Sequence, residues 1–330
     1  MPEKSRHVVA VGNAIVDVLT SADEAFLERH GMVKGSMQLI DEDSANQLYA
    51  DMGPAIEISG GSAANTVAGI ASLGGKAGFI GRVRDDELGD VFAHDIRAAG
   101  VSFETAAATS GPLTARCLIL MTQDAQRTMN TYLGASSLIT PDDIDADFVA
   151  SADVVFCEGY LWDLPEAQAA LVKAMDIARQ AGGKVAFTLS DSFCVDRHRE
   201  AFLQLAEQRV DILFANEDEI CSLYQVATFD EAAEQVAGHC EIACLTRSEK
   251  GSVVITSDGQ RIAVAARPVA VVDTTGAGDL YAAGFLYGLS QGHDLEHCAQ
   301  LGALAAAEVI SHTGARPEVE LSVLAAQAGL

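Results

Sequence analysis

Residues 273–279 read Asp-Thr-Thr-Gly-Ala-Gly-Asp and lead directly into the apolar stretch LYAAGFLYGL. The pattern RIAVAARPVAVVD before them predicts a strand, and the stretch after them an amphipathic helix. Gly276, Ala277 and Gly278 then lie at a helix N-terminus, where unpaired backbone N–H groups and the peptide dipoles make a site for an anion. Asp279 is an acid placed where an anionic ligand would dock. Taken alone, G-x-G-D is equally well a capped turn with an ordinary first-turn acid.

Two common glycine motifs are excluded by the neighbouring residues. Tyr281 occupies the third glycine position of G-x-G-x-x-G, and neither Gly75-Lys76 nor Gly183-Lys184 is followed by Ser or Thr, as a Walker loop requires. A second cluster at residues 59–89, SGGSAANTVAGIASLGGKAGFIGRVRDDELG, again runs from a diglycine into a helical pattern. One such loop is weak evidence; two flanking the same sheet are strong.

The elements that position these loops alternate along the chain. HVVAVG, AGFIGRV, DVVFCEG, KVAFTLS, VDILFAN and IACLTRSEKGSVVIT read as strands, several apolar throughout, as expected where helices cover both faces of a parallel sheet. AANTVAGIASLG, LGDVFAHDIRAAG, PEAQAALVKAMDIARQAGG and HREAFLQLAEQR carry helical spacing and end at glycine or a base. The repetition predicts a doubly wound, mostly parallel α/β sheet with helices on both faces. Segments 14–58 and 111–135 break the rhythm and read as antiparallel strands that meet as a small second layer. With no linker or internal repeat, residues 1–330 are expected to form one domain.

Composition narrows the partners. With 21 bases against 47 acids the 330-residue chain carries a formal charge of -26, which argues against nucleic acid or an anionic membrane as partner. A small phosphate is still admissible, because a helix N-terminus, an arginine and a divalent cation reverse the field locally. The seven cysteines lack a C-x-x-C pair and read as reduced thiols. No apolar run approaches the ~20 residues of a membrane helix, and a cytoplasmic location is expected.

On both glycine clusters the chain resembles the ribokinase-like (PfkB) family of carbohydrate and nucleoside kinases over nearly its whole length. DTTGAGDLYAAGFL is similar to the family's C-terminal signature and GGSAANTVAGIASLGGKAGFIGRVRDDELG to its N-terminal one. VGNAIVDV, FLERHGM, ARCLILMTQDAQRTMNTYLGAS, FTLSDSFCVDRHR and VDILFANEDEI most resemble the adenosine kinase branch. The resemblance implies transfer of the γ-phosphoryl group of ATP to a ribose-type 5'-hydroxyl, adenosine first, with Mg2+. The alternative within the family is a sugar kinase for ribose, fructose or a keto-sugar acid, with Arg116 and Arg127 as candidate carboxylate partners. From another class, a catalytically silent nucleoside-binding protein is the alternative, and the intact Asp279 argues against it.

Residue by residue, the resemblance makes Asp279 the catalytic base, Gly276, Ala277 and Gly278 the anion hole, and Arg127 a lid arginine that reaches the phosphates. A carboxylate at that helix mouth is expected to have a depressed pKa. Asn13 and Asp17 match residues that bind ribose hydroxyls, with Gly61, Ser62 and Asn65 lining the same pocket. Asn216 and Glu219 match an N-x-x-E motif that organises Mg2+ through water; a helix cap would look identical. Thr246, Arg247 and Gly251 match the ATP-purine turn, although Ser248 stands where glycine is common. Asp273 and the loop SHTGARPE resemble a monovalent-cation (K+) site. Segments 14–58 and 111–135 correspond to a discontinuous β-sheet lid, hinged at Gly60-Gly61, that serves a monomer or a homodimer. Tyr160 and Trp162 are the aromatic candidates for stacking on a purine.

Overall fold

The computed structural model describes residues 4–124 and 126–330; residues 1–3 and residue 125, the latter inside the segment read as a hairpin, lie outside the described residues. Its strands are β1 (Arg6–Val11), β2 (Ile15–Ser21), β3 (Met37–Leu39), β4 (Ile56–Gly60), β5 (Ala77–Ile80), β6 (Ser102–Phe103), β7 (Ala115–Met121), β8 (Arg127–Tyr132), β9 (Ala152–Glu158), β10 (Lys184–Thr188), β11 (Ile212–Asn216), β12 (Ile242–Thr246), β13 (Ser252–Thr256) and β14 (Arg261–Val264).

Nine of these form one sheet in the order β14-β13-β12-β11-β10-β9-β1-β5-β6. It is parallel from β6 to β12, and β13 and β14 join antiparallel at one edge. Alternate residues of its central strands enter different cores: Val8, Ala10, Val154 and Phe156 pack on one side, Val9, Val11, Val155 and Cys157 on the other. Burial on both faces is why these strands are apolar throughout. Helices Ser62–Ser72, Ala277–Ser290 and Leu295–Val309 cover the first side, and Pro165–Gln180 and Ser192–Gln208 the second. The α/β class and doubly wound layout match the expectation.

The other five strands form a smaller sheet, β3-β8-β7-β2-β4. Pairing is antiparallel within each segment, β2 with β4 and β7 with β8, but the joints between segments, β2 with β7 and β3 with β8, are parallel. This corrects the expectation of antiparallel strands throughout; an alternating pattern reports which face a residue occupies, not the direction of its partner. One face, with Val16, Val18, Leu118 and Leu120 fully buried, packs into the core.

Two local expectations also change. The strand read over 261–273 ends at Val264, since Pro268 has no N–H for a ladder and Val271 and Val272 are exposed, so an irregular segment leads into the glycine turn. The helix Ala277–Ser290 is not amphipathic: Leu280 through Leu286 are all buried, placing its first turn at the edge of a packed core.

Candidate active site

Helix Ala277–Ser290 begins at Gly276, whose φ of +78° favours glycine and where a Cβ would stand 2.9 Å from that of Ala315. Above Gly278, in contrast, a Cβ would meet nothing within 4 Å, so the space beside this first turn is open. Asp279 sits in this turn. Ser62 Oγ donates to its Oδ1 at 2.6 Å and Asn65 Nδ2 to its Oδ2 at 3.0 Å, both from the first turn of helix Ser62–Ser72. The two glycine clusters are thus one site.

Burial holds the Asp279 carboxyl above the usual carboxylate range, opposed by Ser62, Asn65 and the positive charge of Arg316. This corrects the depressed pKa read from the helix mouth: loss of water around the carboxylate outweighs the donors.

Helix Ser62–Ser72 is entered through Gly60 and Gly61. Gly61 has φ +100°, and a Cβ there would lie 2.3 Å from the carbonyl oxygen of Asn13. Asn13 is buried and its side chain fully engaged: its backbone N–H and Nδ2 donate to Glu158 Oε1 at 2.7 and 2.6 Å, and its Oδ1 accepts from Ser136 Oγ at 2.8 Å. Glu158 Oε2 accepts from Ala63 N at 2.9 Å. This fully buried glutamate therefore ties the end of β1 to the helix that holds Asp279, and burial raises its pKa to about 7. It escaped the sequence reading, although a lone carboxylate closing the apolar run DVVFC was the available signal.

Asp17 lies on the face of the smaller sheet opposite Val16 and Val18. Register aligns Leu39, Thr131, Cys117, Asp17 and Ile58 in one row across it, and Met37, Met129, Ile119, Leu19 and Ile56 in the next. The face is thus an apolar slab carrying one carboxylate, with Met37, Leu39 and Ile56 exposed. Burial raises Asp17 to about 6, with Arg316 and Arg127 pulling it down and Asp279 pushing it up. Arg127 shares this face. Its Nη1 pairs with Asp273 Oδ2 at 2.6 Å and donates to Thr275 Oγ1 at 3.1 Å, while Nε and Nη2 are buried without a partner among the described residues. Asp273 also accepts from the N–H groups of Thr275 and Gly314 and from the Thr275 hydroxyl.

Arg116 points the other way. It is buried between Tyr49 and Tyr132 and donates to Asn46, which removes it as a partner for a substrate carboxylate. Trp162 is likewise a core residue, edge-on to Phe202, whereas Tyr160 is part-exposed and donates to the carbonyl of Ser190.

Asn216 and Glu219 form a reciprocal capping box at the start of helix Glu217–Tyr224. Glu219 is nevertheless buried and raised to about 7 by burial, with Asp191, Asp218 and Asp279 adding negative charge. Arg247 is held by Glu217 at 3.0 and 3.1 Å and stacks on Phe229, so its side chain is engaged away from the glycine turn. Thr246 ends β12, and Gly251, at φ +85°, closes the following turn. Among the described residues no three His, Cys, Asp or Glu side chains converge as a metal cage, and no helix is long and apolar enough to cross a membrane.

The pfkB family carbohydrate kinase model matches residues 56–321. A crystal structure of a probable sugar kinase from Rhizobium etli CFN 42 is similar at 51% identity and TM-score 0.91, covering 99% of each chain. An adenosine kinase from Sinorhizobium meliloti is similar at 51% identity and TM-score 0.90, covering 98% of this chain and 99% of that one. A 5-dehydro-2-deoxygluconokinase of Listeria monocytogenes is 30% identical over 295 residues, 82% of this chain and 87% of the relative. The chain belongs to the pfkB family of carbohydrate kinases: it is a sugar or nucleoside kinase, a phosphotransferase that uses ATP with a divalent metal and an alcohol group as acceptor.

Proposed function

We propose that the acceptor is a ribonucleoside, adenosine first, phosphorylated at its 5'-hydroxyl. The observation that carries this reading is the face of the smaller sheet that bears Arg127, where one carboxylate, Asp17, stands in an apolar slab. A carboxylate can accept from two vicinal ribose hydroxyls, and the apolar surface beside it suits a planar base. The Sinorhizobium meliloti adenosine kinase supports the same acceptor.

In this reading Asp17 orients the sugar and Asp279 takes the proton of the attacking hydroxyl. The N–H groups of Gly276, Ala277 and Gly278 face the phosphoryl oxygens, and Arg127 leaves Asp273 to join them. Asn13 acts indirectly, by fixing Glu158 and the turn into the helix of Ser62 and Asn65, with Gly61 allowing the approach. ATP with Mg2+ supplies the electrophilic phosphoryl group and its charge neutralisation. The residues fit that pair: the space over Gly278 is open, and Glu219 and Asp279, which repel one another, gain from a cation held through water. The β12–β13 turn, Thr246 to Gly251, lies under the purine with Arg247 as a support rather than a contact. A K+ ion at Asp273 has to displace Arg127, so KCl is a variable in the assay. The smaller sheet acts as the lid of a monomer or a homodimer.

A keto-sugar acid kinase is the second reading. It is favoured by the unpartnered Nε and Nη2 of Arg127 on the same face, which can take a carboxylate, and by the 5-dehydro-2-deoxygluconokinase relatives. ADP release by purified protein with adenosine, other nucleosides, ribose, fructose and keto-sugar acids separates the two. Adenosine turnover that collapses in Asp17→Ala, with both higher KM and lower kcat, supports the nucleoside reading. Turnover of a sugar acid in preference to every nucleoside overturns it.

A further inference from the structure

Arg316 lies in the loop of residues 311–318, the segment that resembles part of a cation site. Its side chain does more than any other in that loop. Nε and Nη2 donate to the Ser59 carbonyl at 3.1 and 2.8 Å, Nη2 also to Ser59 Oγ at 3.0 Å, and Nη1 to the Ala64 carbonyl at 2.9 Å. Ser59 is fully buried and passes its own N–H and hydroxyl on to Asp95 Oδ2 at 2.8 and 2.6 Å.

The placement of these contacts is what matters. Ser59 immediately precedes Gly60-Gly61, and Ala64 lies between Ser62 and Asn65, the two residues that hold Asp279. One planar guanidinium therefore grips the chain on both sides of the diglycine, a geometry that a lysine cannot reproduce. The charged groups around it are Asp95, Asp17 and Asp279, each acting on Arg316. Arg127 also acts on Asp17, and Glu158 and Glu219 each feel the charge of Asp279.

We propose that Arg316 is a positioning residue for phosphoryl transfer: its guanidinium clamps the chain on both sides of the diglycine hinge and so fixes Ser62 and Asn65 against Asp279. The aim of the base then depends on one group that touches neither substrate. The proposal rests on the reading of Asp279 as the base.

The test compares wild type with Arg316→Met, which removes fork and charge, and Arg316→Lys, which keeps the charge and removes the fork. Amide exchange is followed over residues 59–64, and kcat and KM are measured separately with the acceptor the enzyme uses. In folded Arg316→Met the hinge amides should exchange about tenfold faster, and kcat should fall while the KM for ATP stays near wild type, because the base loses its aim and the phosphate site does not. Arg316→Lys should show the same two changes, since a point charge cannot make the fork. A folded Arg316→Met with wild-type exchange and kcat overturns the proposal. If that variant does not fold, Arg316→Lys decides: unchanged exchange at 59–64 overturns it, and faster exchange with lowered kcat supports it. Exchange needs no acceptor, so a wild-type enzyme that ignores adenosine counts against the nucleoside reading alone.

Discussion

Ser62 and Asp279 stand 217 positions apart in the chain and are joined by a hydrogen bond of 2.6 Å, Ser62 Oγ donating to Oδ1. Asn65 completes the grip on the other oxygen at 3.0 Å. The carboxylate is thus oriented by the first turn of one helix while it rides on the first turn of another. Two glycine-fed helix N-termini converge, so the Asp279 carboxylate is held between the backbone of one first turn and the short side chains of the other.

Replacing Asp279 with Asn keeps the size of the side chain and, in the proposed mechanism, removes the proton acceptor. We expect kcat to fall by roughly 10² to 10⁴, the usual range for loss of a general base. ATP binding should persist, since one negative charge beside the phosphates has gone. Steady-state rates paired with titration calorimetry of ATP, on a variant shown by thermal unfolding to be folded, check both halves. Near-normal kcat would reduce Asp279 to a helix cap.

The parts of the site that could be read from the sequence are those whose chemistry needs adjacent residues. Gly276 to Asp279 and Gly61 to Asn65 are contiguous, and backbone N–H groups at a helix start follow from glycine and spacing alone. Glu158 and Arg316 act through partners far off in the chain, Asn13 and Ala63 for one, Ser59 and Ala64 for the other, so no local spacing assigns their roles, although the carboxylate closing DVVFC marks Glu158 as unusual. The two arginines of the smaller sheet are told apart only once the strands are in register. Cys117 is in register with Asp17, and strand alternation then sends Arg116 to the opposite face, while Arg127, paired with Met121, shares the face of Asp17. What alternation could not supply was the parallel joint between the segments, which only the folded register shows.

The buried acids predict how stability depends on pH. Glu158 and Glu219 are raised to about 7 and Asp17 to about 6, each chiefly by burial, whereas an unfolded carboxylate titrates near about 4. Between those values the folded chain binds more protons than the unfolded one, so stability is greatest on the acid side and falls as pH rises from about 4 to about 7. Calorimetric Tm should therefore decline from pH 5 to pH 7.5, and Glu158→Gln should flatten the decline because its share of the proton difference has been removed. The slope is the readout, since the glutamine also gives up charge-assisted bonds to Asn13 and Ala63. A Tm that climbs over this range in the wild-type protein would contradict the burial argument.

Ser248 and Gly251 occupy one turn between β12 and β13 and call for substitutions of opposite sign. Ser248 adopts φ +50°, a left-handed conformation that costs a side-chain-bearing residue about 1 kcal/mol or more. Glycine removes that strain but adds entropy to the unfolded chain, so Ser248→Gly should be a small net gain, raising Tm by about 1–2 °C in a domain of this size. Gly251 has φ +85° and ψ -136°, a region essentially closed to other residues. A Cβ there would lie 2.1 Å from the carbonyl oxygen of Val264, so Gly251→Ala must push β14 aside. It should lower Tm by several degrees and weaken ATP binding if the turn supports the purine, while Ser248→Gly leaves the KM for ATP unchanged or lower. Thermal unfolding of both variants with and without ATP reads the two effects together. Shifts of the same sign would mean that backbone conformation does not govern this turn.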